Sequence, residues 1–320
     1  MAHANIVASM FFGGISGVAT ADTAAIGSVM IPTMTKSGYD VKFSTVVTVT
    51  SSIIGIIVPP SIDMILYGWI SGTSITELFA GGIIPGTLVG LSLMGLSHWI
   101  SMKRGYRSQE KFCMKKFSKS FIMAFPALVM PILIVGGMFT GAFTATGGAS
   151  VAVVYGILIA ILFYKGLKLN EIPALLLKVC MTIGSIMLLI AFCKTFGWIL
   201  TAERIPHVIS DFFLNNLPYQ WLFLFNVIPV CLVIGTFLTP AAATIILTPI
   251  LAPVAKSFGI DPVHFGLVLV CAVAIGHVTP PVALTLYIGS EISGVSVALN
   301  CDAGQPEKSH SSSRLNLFPA

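Results

Sequence analysis

Charge is scarce in this sequence. Asp, Glu, Lys and Arg make up 9% of its 320 residues, while 56% are hydrophobic; a typical soluble domain is roughly 25% charged. That shortage excludes a soluble globular protein of this length, because too little charge remains to cover its surface. Some stretches carry none at all. Residues 43–62, 78–102, 120–164, 212–255 and 262–290 hold no Asp, Glu, Lys or Arg, and each is at least as long as the ~20 apolar residues that cross a bilayer as a helix. The ~10-residue alternation of a membrane β-barrel is also missing. Segments such as 127–135 and 156–164 are continuously apolar, so the spans are expected to be helical.

Other absences narrow the function. The six cysteines (113, 180, 193, 231, 271, 301) show no paired spacing, and four lie in apolar runs. Inert thiols are expected, not a metal site or a disulfide framework. There is no Gly-rich phosphate loop, no His-Glu-x-x-His and no Gly-x-Ser-x-Gly elbow, so no enzyme is expected and no cofactor is implied. No secretory signal with a charged opening region precedes the first apolar segment. The net charge of +5 says little about nucleic acid, because seven of the seventeen basic residues sit in 103–119. Lys/Arg-rich short loops stay in the cytoplasm, so this stretch anchors the orientation, and it has the makings of a surface-lying amphipathic helix.

The apolar segments are punctuated. The first, 6–34, is broken by Gly13-Gly14 and Ser16-Gly17, carries Asp22, and is expected to close at Pro32 and the turn 36–40. The second, 42–70, is interrupted at Gly55 and Pro59-Pro60, and a third runs 78–100. Two spans, 121–138 and 149–164, are expected around a Gly/Thr-rich turn at 136–148. Another span, 174–200, carries Lys178 and Lys194, which are placed to snorkel. Residues 201–218 read as interfacial. Segments 219–254 and 263–288 follow, the latter broken at Gly276 and Pro280-Pro281, and the chain from 300 reads as disordered.

An internal repeat ties these breaks together. A shift of 221 places Pro32 on Pro253, Gly38 on Gly259, Asp40 on Asp261, Gly55 on Gly276 and Pro59-Pro60 on Pro280-Pro281, with no gap; Thr23 falls on Thr244. Counting spans from a cytoplasmic 103–119 makes the two copies inverted. Helix breaks in lipid need partners for the freed backbone groups, and paired breaks in inverted halves point to a transporter's midplane site. Asp22 reads either as a site carboxylate, costly within an apolar segment, or as the N-cap of a helix over 23–34. Asp63 and Glu291 are expected near an interface. His277 is expected to be hydrogen-bonded or exposed, not a proton relay.

Gly14-Ile15-Ser16-Gly17, Ala21-Asp22, Lys36-Ser37-Gly38-Tyr39-Asp40 and Gly55 with Pro59-Pro60-Ser61 resemble the large membrane subunit of TRAP transporters. So do Thr248-Pro249-Ile250-Leu251, the run from Gly259 to Gly266, and Ile275-Gly276 with Thr279-Pro280-Pro281-Val282. The resemblance covers about 1–298. It implies an all-α, inverted-repeat secondary transporter of the bacterial inner membrane, of elevator type, with two re-entrant hairpins and two Pro-Pro-broken helices. Residues 1–76 would form repeat 1, 77–218 the scaffold with its basic arm, 219–298 repeat 2, and 299–320 a polar tail. It further implies Na⁺-coupled import of an organic acid of the C4-dicarboxylate or sialic-acid class, delivered by a periplasmic binding protein and assisted by a small membrane subunit. Ser16, Gly55, Val58 and Pro60 would hold one Na⁺, and Thr236, Gly276, Thr279 and Pro281 the other. Asp22, Thr20 and Ser61 would meet the substrate.

The chain departs from the family pattern at Phe143-Thr144-Ala145-Thr146-Gly147, where Phe-Thr-Pro-Thr-Glu is usual, at Thr239, usually acidic, and at Ala272, commonly Asn. Family members also carry further spans before the stretch beginning at His3 and a hydrophobic helix in place of 300–320. A chain truncated at both ends is therefore expected, with a non-transporting remnant or partner-binding membrane protein as the alternative.

Overall fold

In a computed structural model of the chain, residues 1–106, 114–216, 219–280 and 283–295 are described, and among them every regular element is helical. Among these residues seven helical segments, with Val41–Ser71 taken as one, are long and apolar enough to cross a membrane. Large apolar side chains such as Leu88, Leu162, Met181 and Phe225 are exposed on their outer faces, a surface suited to lipid. Helices, which satisfy their own backbone groups, are the way such a chain can cross.

The first hairpin pairs α1 (Ala2–Ser16) with α2 (Ala19–Lys36). Its tip is two residues: Gly17, left-handed at φ 65°, and the extended Val18. Next, α3 (Val41–Ser52) starts at Asp40, whose carboxylate accepts from the Lys42 N–H at 3.3 Å. The chain runs on as α4 (Ile54–Ile57) and stops at the extended Val58, because Pro59 and Pro60 bring no N–H to continue the ladder. Ser61 restarts it as α5 (Ile62–Ser71), its hydroxyl accepting from the Met64 N–H. Ser74 caps α6 (Ile75–Lys103) in the same way.

Four helices connect this half to the second: α7 (Met114–Phe139), α8 (Ala145–Leu158), α9 (Ile172–Ala202) and α10 (Ile205–Asn216). The second hairpin is α11 (Gln220–Phe237) and α12 (Pro240–Ser257), with Leu238 and Thr239 at its tip. Asp261 then caps α13 (Pro262–His277), accepting from the N–H groups of Val263 and His264 at 2.9 and 3.0 Å. The last described helix is α14 (Leu284–Ser293).

The 221-residue offset reappears in the boundaries. It carries both ends of α2 onto those of α12, the start of α3 onto that of α13, and the end of α1 onto that of α11. Packing repeats as well. α1 lies on α3 and α4 as α11 lies on α13, and each second hairpin arm reaches across to the other repeat, α2 against α14 and α12 against α5. Tyr67, fully buried on α5, fastens the crossing by donating to the Pro262 carbonyl at 2.8 Å. Phe223, Phe258 and Phe265 stack beside it in the main core.

Several expectations are corrected. The Gly/Thr-rich turn is shorter than 136–148, because the Thr144 hydroxyl accepts from the Gly147 N–H and starts α8 at Ala145. Pro32 does not close the first segment: α2 passes through it to Lys36, at the cost of one helical hydrogen bond. Within 201–216, α10 packs on α9 and α12. Of the basic arm, 107–113 lie outside the described residues, and its end from Met114 belongs to α7. The Lys194 Nζ sits 4.5 Å over the Trp69 ring. Of the cysteines, Cys193 and Cys231 are buried, Cys271 half-buried and Cys180 exposed, all as free thiols. Pro281 and the tail 299–320 lie outside the described residues.

Candidate functional site

The first hairpin tip rests on the first helix break through backbone alone. A Cβ built on Gly13 would stand 2.4 Å from the Gly55 Cα, and one on Gly17 would stand 2.8 Å from the Pro60 carbonyl oxygen. A Cβ on Gly14 would touch the Pro59 carbonyl oxygen at 3.5 Å. Only glycine allows backbones to meet this closely. Ser16 folds its hydroxyl onto the tip, accepting from the Val18 N–H at 3.4 Å. Ser16, Gly55, Val58 and Pro60 are thus gathered where tip meets break.

This junction has two electrostatic poles. Four residues beyond Gly55 and Ile56 stand Pro59 and Pro60, so the last carbonyls of α4 lose their helical donors. Freed carbonyls of this kind can coordinate a cation. Opposite in sign are the N-termini of α2 and α5. The Gly17 Cβ position lies 3.3 Å from the Ile62 nitrogen, so the two helix starts converge, and helix N-termini favour anions.

The second junction repeats the contact. A Cβ on Gly276 would stand 2.4 Å from the Leu232 carbonyl oxygen and 3.0 Å from the Gly235 Cα, and one on Gly235 would stand 2.7 Å from the Val273 carbonyl oxygen. Gly276 accepts from the Thr279 N–H at 2.9 Å. The Thr236 and Thr279 hydroxyls donate to their own helices, to Val233 and Ile275, so only their lone pairs face outward. Gly13 and Gly235 were missed by sequence reasoning as the partners of Gly55 and Gly276. The gapless shift of 221 sends Gly13 to Ile234; a one-residue slip would have found them.

Of the acids and the histidine, Asp22 sits differently from its N-cap reading. Asp22 is no N-cap. Its helix begins at Ala19 with Val18 in the cap position, and Asp22 lies in the first turn, fully buried, with neither carboxylate oxygen hydrogen-bonded. Thr20 beside it is half-buried, and Ser61 is buried with its hydroxyl engaged as the α5 cap. Asp63 is buried, and its Oδ1 has no partner. Glu291 is exposed. His277 is 2% exposed and hydrogen-bonded to the Leu238 backbone of the second tip, as expected of a hydrogen-bonded histidine, while its Nε2 has no partner.

The sequence that builds these two junctions matches a known family. The Tripartite ATP-independent periplasmic transporter, DctM component, matches residues 1–303. The chain belongs to the DctM family. It is 37% identical over 297 residues to the sialic acid TRAP transporter large permease protein SiaM of Vibrio cholerae, a match covering 92% of this chain and 69% of that protein. Against the C4-dicarboxylate TRAP transporter large permease protein DctM of Pseudomonas aeruginosa it is 35% identical over 306 residues, covering 96% and 72%. The isethionate TRAP transporter permease protein DctMQ of Oleidesulfovibrio alaskensis is 37% identical over 298 residues, and there the chain spans 47% of the relative's length. As a DctM-family chain with seven apolar helical segments of spanning length, it is a multi-pass protein of the bacterial inner membrane. It is a transport protein, not an enzyme, and one component of a multi-component system.

Proposed function

We propose that the chain is the large permease component of a TRAP-type secondary transporter that imports an organic acid on a Na⁺ gradient. The observation that carries this reading is the pair of Gly-on-Gly contacts, Gly13 on Gly55 and Gly235 on Gly276, by which the first arm of each hairpin packs closely on the helix that ends just beyond it, α4 and α13. A backbone junction with freed carbonyls on one side and converging helix N-termini on the other suits co-binding of a cation and a carboxylate. Ser16, Gly55, Val58 and Pro60 serve one Na⁺. Thr236, Gly276, Thr279 and Pro281 serve the second, through main-chain oxygens. Thr20 and Ser61, with Asp22 behind them, border the substrate at the α2 and α5 N-termini.

The relatives' substrates, sialic acid, C4-dicarboxylates and isethionate, are all organic anions, and the same class is proposed here. A periplasmic binding protein delivers the acid and a small membrane subunit completes the complex. Transport proceeds as an elevator in which the interlocked hairpins and broken helices move together. The test is uptake of labelled sialic acid and C4-dicarboxylates into proteoliposomes holding the chain, its small subunit and its binding protein. Uptake should require an inward Na⁺ gradient, and Gly55→Val or Gly276→Val should abolish it. Uptake that is unchanged by either substitution, or that runs without Na⁺, overturns the reading.

A further inference from the structure

Leading up to the first junction, α1 and α3 meet along a buried polar seam. Asn5, Ser9 and Gly13 recur every four residues on α1 and face Thr48, Ser51 and Gly55. The Asn5 amide Nδ2 donates to Thr48 Oγ1 at 2.7 Å, and the Ser9 and Ser51 hydroxyl oxygens are 2.9 Å apart. Asp22 closes the seam from α2, with Ser9 beside its carboxylate. Asn5, Ser9, Asp22, Thr48 and Ser51 are all fully buried.

A count of protons in this seam leaves acceptors in excess. The Thr48 hydroxyl donates to the Ser44 carbonyl and the Ser51 hydroxyl to the Thr48 carbonyl. Ser9 has one proton for two neighbours, the Ser51 hydroxyl and the Asp22 carboxylate, so it cannot serve both Asp22 oxygens. Both Asp22 oxygens and the Asn5 Oδ1 are without hydrogen-bond partners. A buried carboxylate and amide oxygen left in this state are costly.

The second repeat shows that packing does not need them. Counting back from Gly235 as Asn5 and Ser9 stand to Gly13, the α11 seam is Val227 and Cys231. Opposite, the 221 offset puts Leu269 and Ala272 where repeat 1 has Thr48 and Ser51, and Ala243 where it has Asp22. All five are buried. One fold thus builds the same seam dry in one copy and polar in the other. Thr23 is set aside, because its counterpart Thr244 is also buried and unpartnered and so does not distinguish the copies.

We infer that the polar seam of repeat 1 is a cation site made by side chains, in which the Asp22 carboxylate, Ser9 Oγ and the Asn5 amide oxygen hold a Na⁺ ion. It is separate from the main-chain sites at the two junctions. Hard oxygen donors suit an alkali or alkaline-earth ion, and a single carboxylate neutralises a single charge. A divalent ion would leave a net charge buried in the membrane. Its link to transport rests on the proposed function: neutralising Asp22 lets an anionic acid approach Thr20, two residues away on the same turn. The site itself rests only on the seam.

The test is Na⁺-dependent thermal stabilisation and ²²Na⁺ binding of the purified full chain in nanodiscs, against choline at constant ionic strength. Asp22→Asn keeps the shape and removes the charge, and Ser9→Ala is a milder second variant should the first fold poorly. Each should weaken the apparent Na⁺ affinity at least tenfold, and Asp22→Asn should lower the bound Na⁺ by one per chain. Unaltered Na⁺ binding in both variants overturns the site, as does a stabilisation that follows pH and ignores Na⁺. Na⁺-driven uptake with unaltered Na⁺ dependence in Asp22→Asn would sink this site and keep the transport reading. Asp22-dependent Na⁺ binding without uptake would do the reverse.

Discussion

Replacing Gly13 with Ala tests the first junction by one methyl group. The new Cβ would lie 2.4 Å from the Gly55 Cα and 2.9 Å from the Gly55 nitrogen, where ordinary contact begins at 3.4 Å. Neither neighbour is a side chain that can swing aside, so the hairpin tip must retreat by about 1 Å. Overpacking of this kind costs about 1–3 kcal/mol, partly offset by the ~1 kcal/mol that Ala gains over Gly inside a helix. A net loss of about 1.4 kcal/mol confined to the tip is a tenfold change in an equilibrium constant. The apparent Na⁺ affinity in uptake and in thermal stabilisation should therefore fall about tenfold. Gly184→Ala on α9 is the control, since nothing lies within 4 Å of its Cβ position; it should be neutral or slightly stabilising. Equal Na⁺ affinities for Gly13→Ala and Gly184→Ala would refute the claim that the tip sits on the break through backbone contact.

Asp261→Ala removes a cap that accepts two N–H groups at 2.9 and 3.0 Å, and thermal unfolding should show a loss of about 1–2 kcal/mol. Tyr67→Phe deletes the 2.8 Å bond to the Pro262 carbonyl; the same assay should register about 1 kcal/mol with the core otherwise intact. The pair between Arg104 and Asp40 spans 3.5 Å with both side chains partly exposed. A double-mutant cycle should return less than about 1 kcal/mol of coupling, shrinking as salt rises.

What could be read from the sequence is what acts through the backbone. Gly55, Pro59-Pro60, Gly276 and Pro280-Pro281 change the chain's own geometry wherever they stand, so breaks and repeat survive translation into structure. The cap at Asp261 was not read from the sequence, where Asp261 stood only as the repeat partner of Asp40, and the α8 start at Ala145 escaped because Thr144 was hidden in a Gly-rich stretch. Burial was not legible. Whether Asp22 caps a helix or sits enclosed depends on α1 and α3 closing over it, and Asp63 and His277 are buried by partners distant in sequence. Gly13 and Gly235 looked like ordinary hairpin glycines until the opposing backbone was in place.

The exchange of hairpin arms has a consequence for how the chain is made. Because α2 packs on α14 and α12 on α5, the early half leaves the ribosome with faces that only segments far later in the chain, Pro240–Ser257 and Leu284–Ser293, can cover. Loop closure of that length is slow to nucleate even though its entropy grows only logarithmically. For much of synthesis the first hairpin must wait in the membrane with its mate unmade. Severing the chain between α6 and α7 would therefore give not two working modules but two halves, each missing the surface it was shaped against.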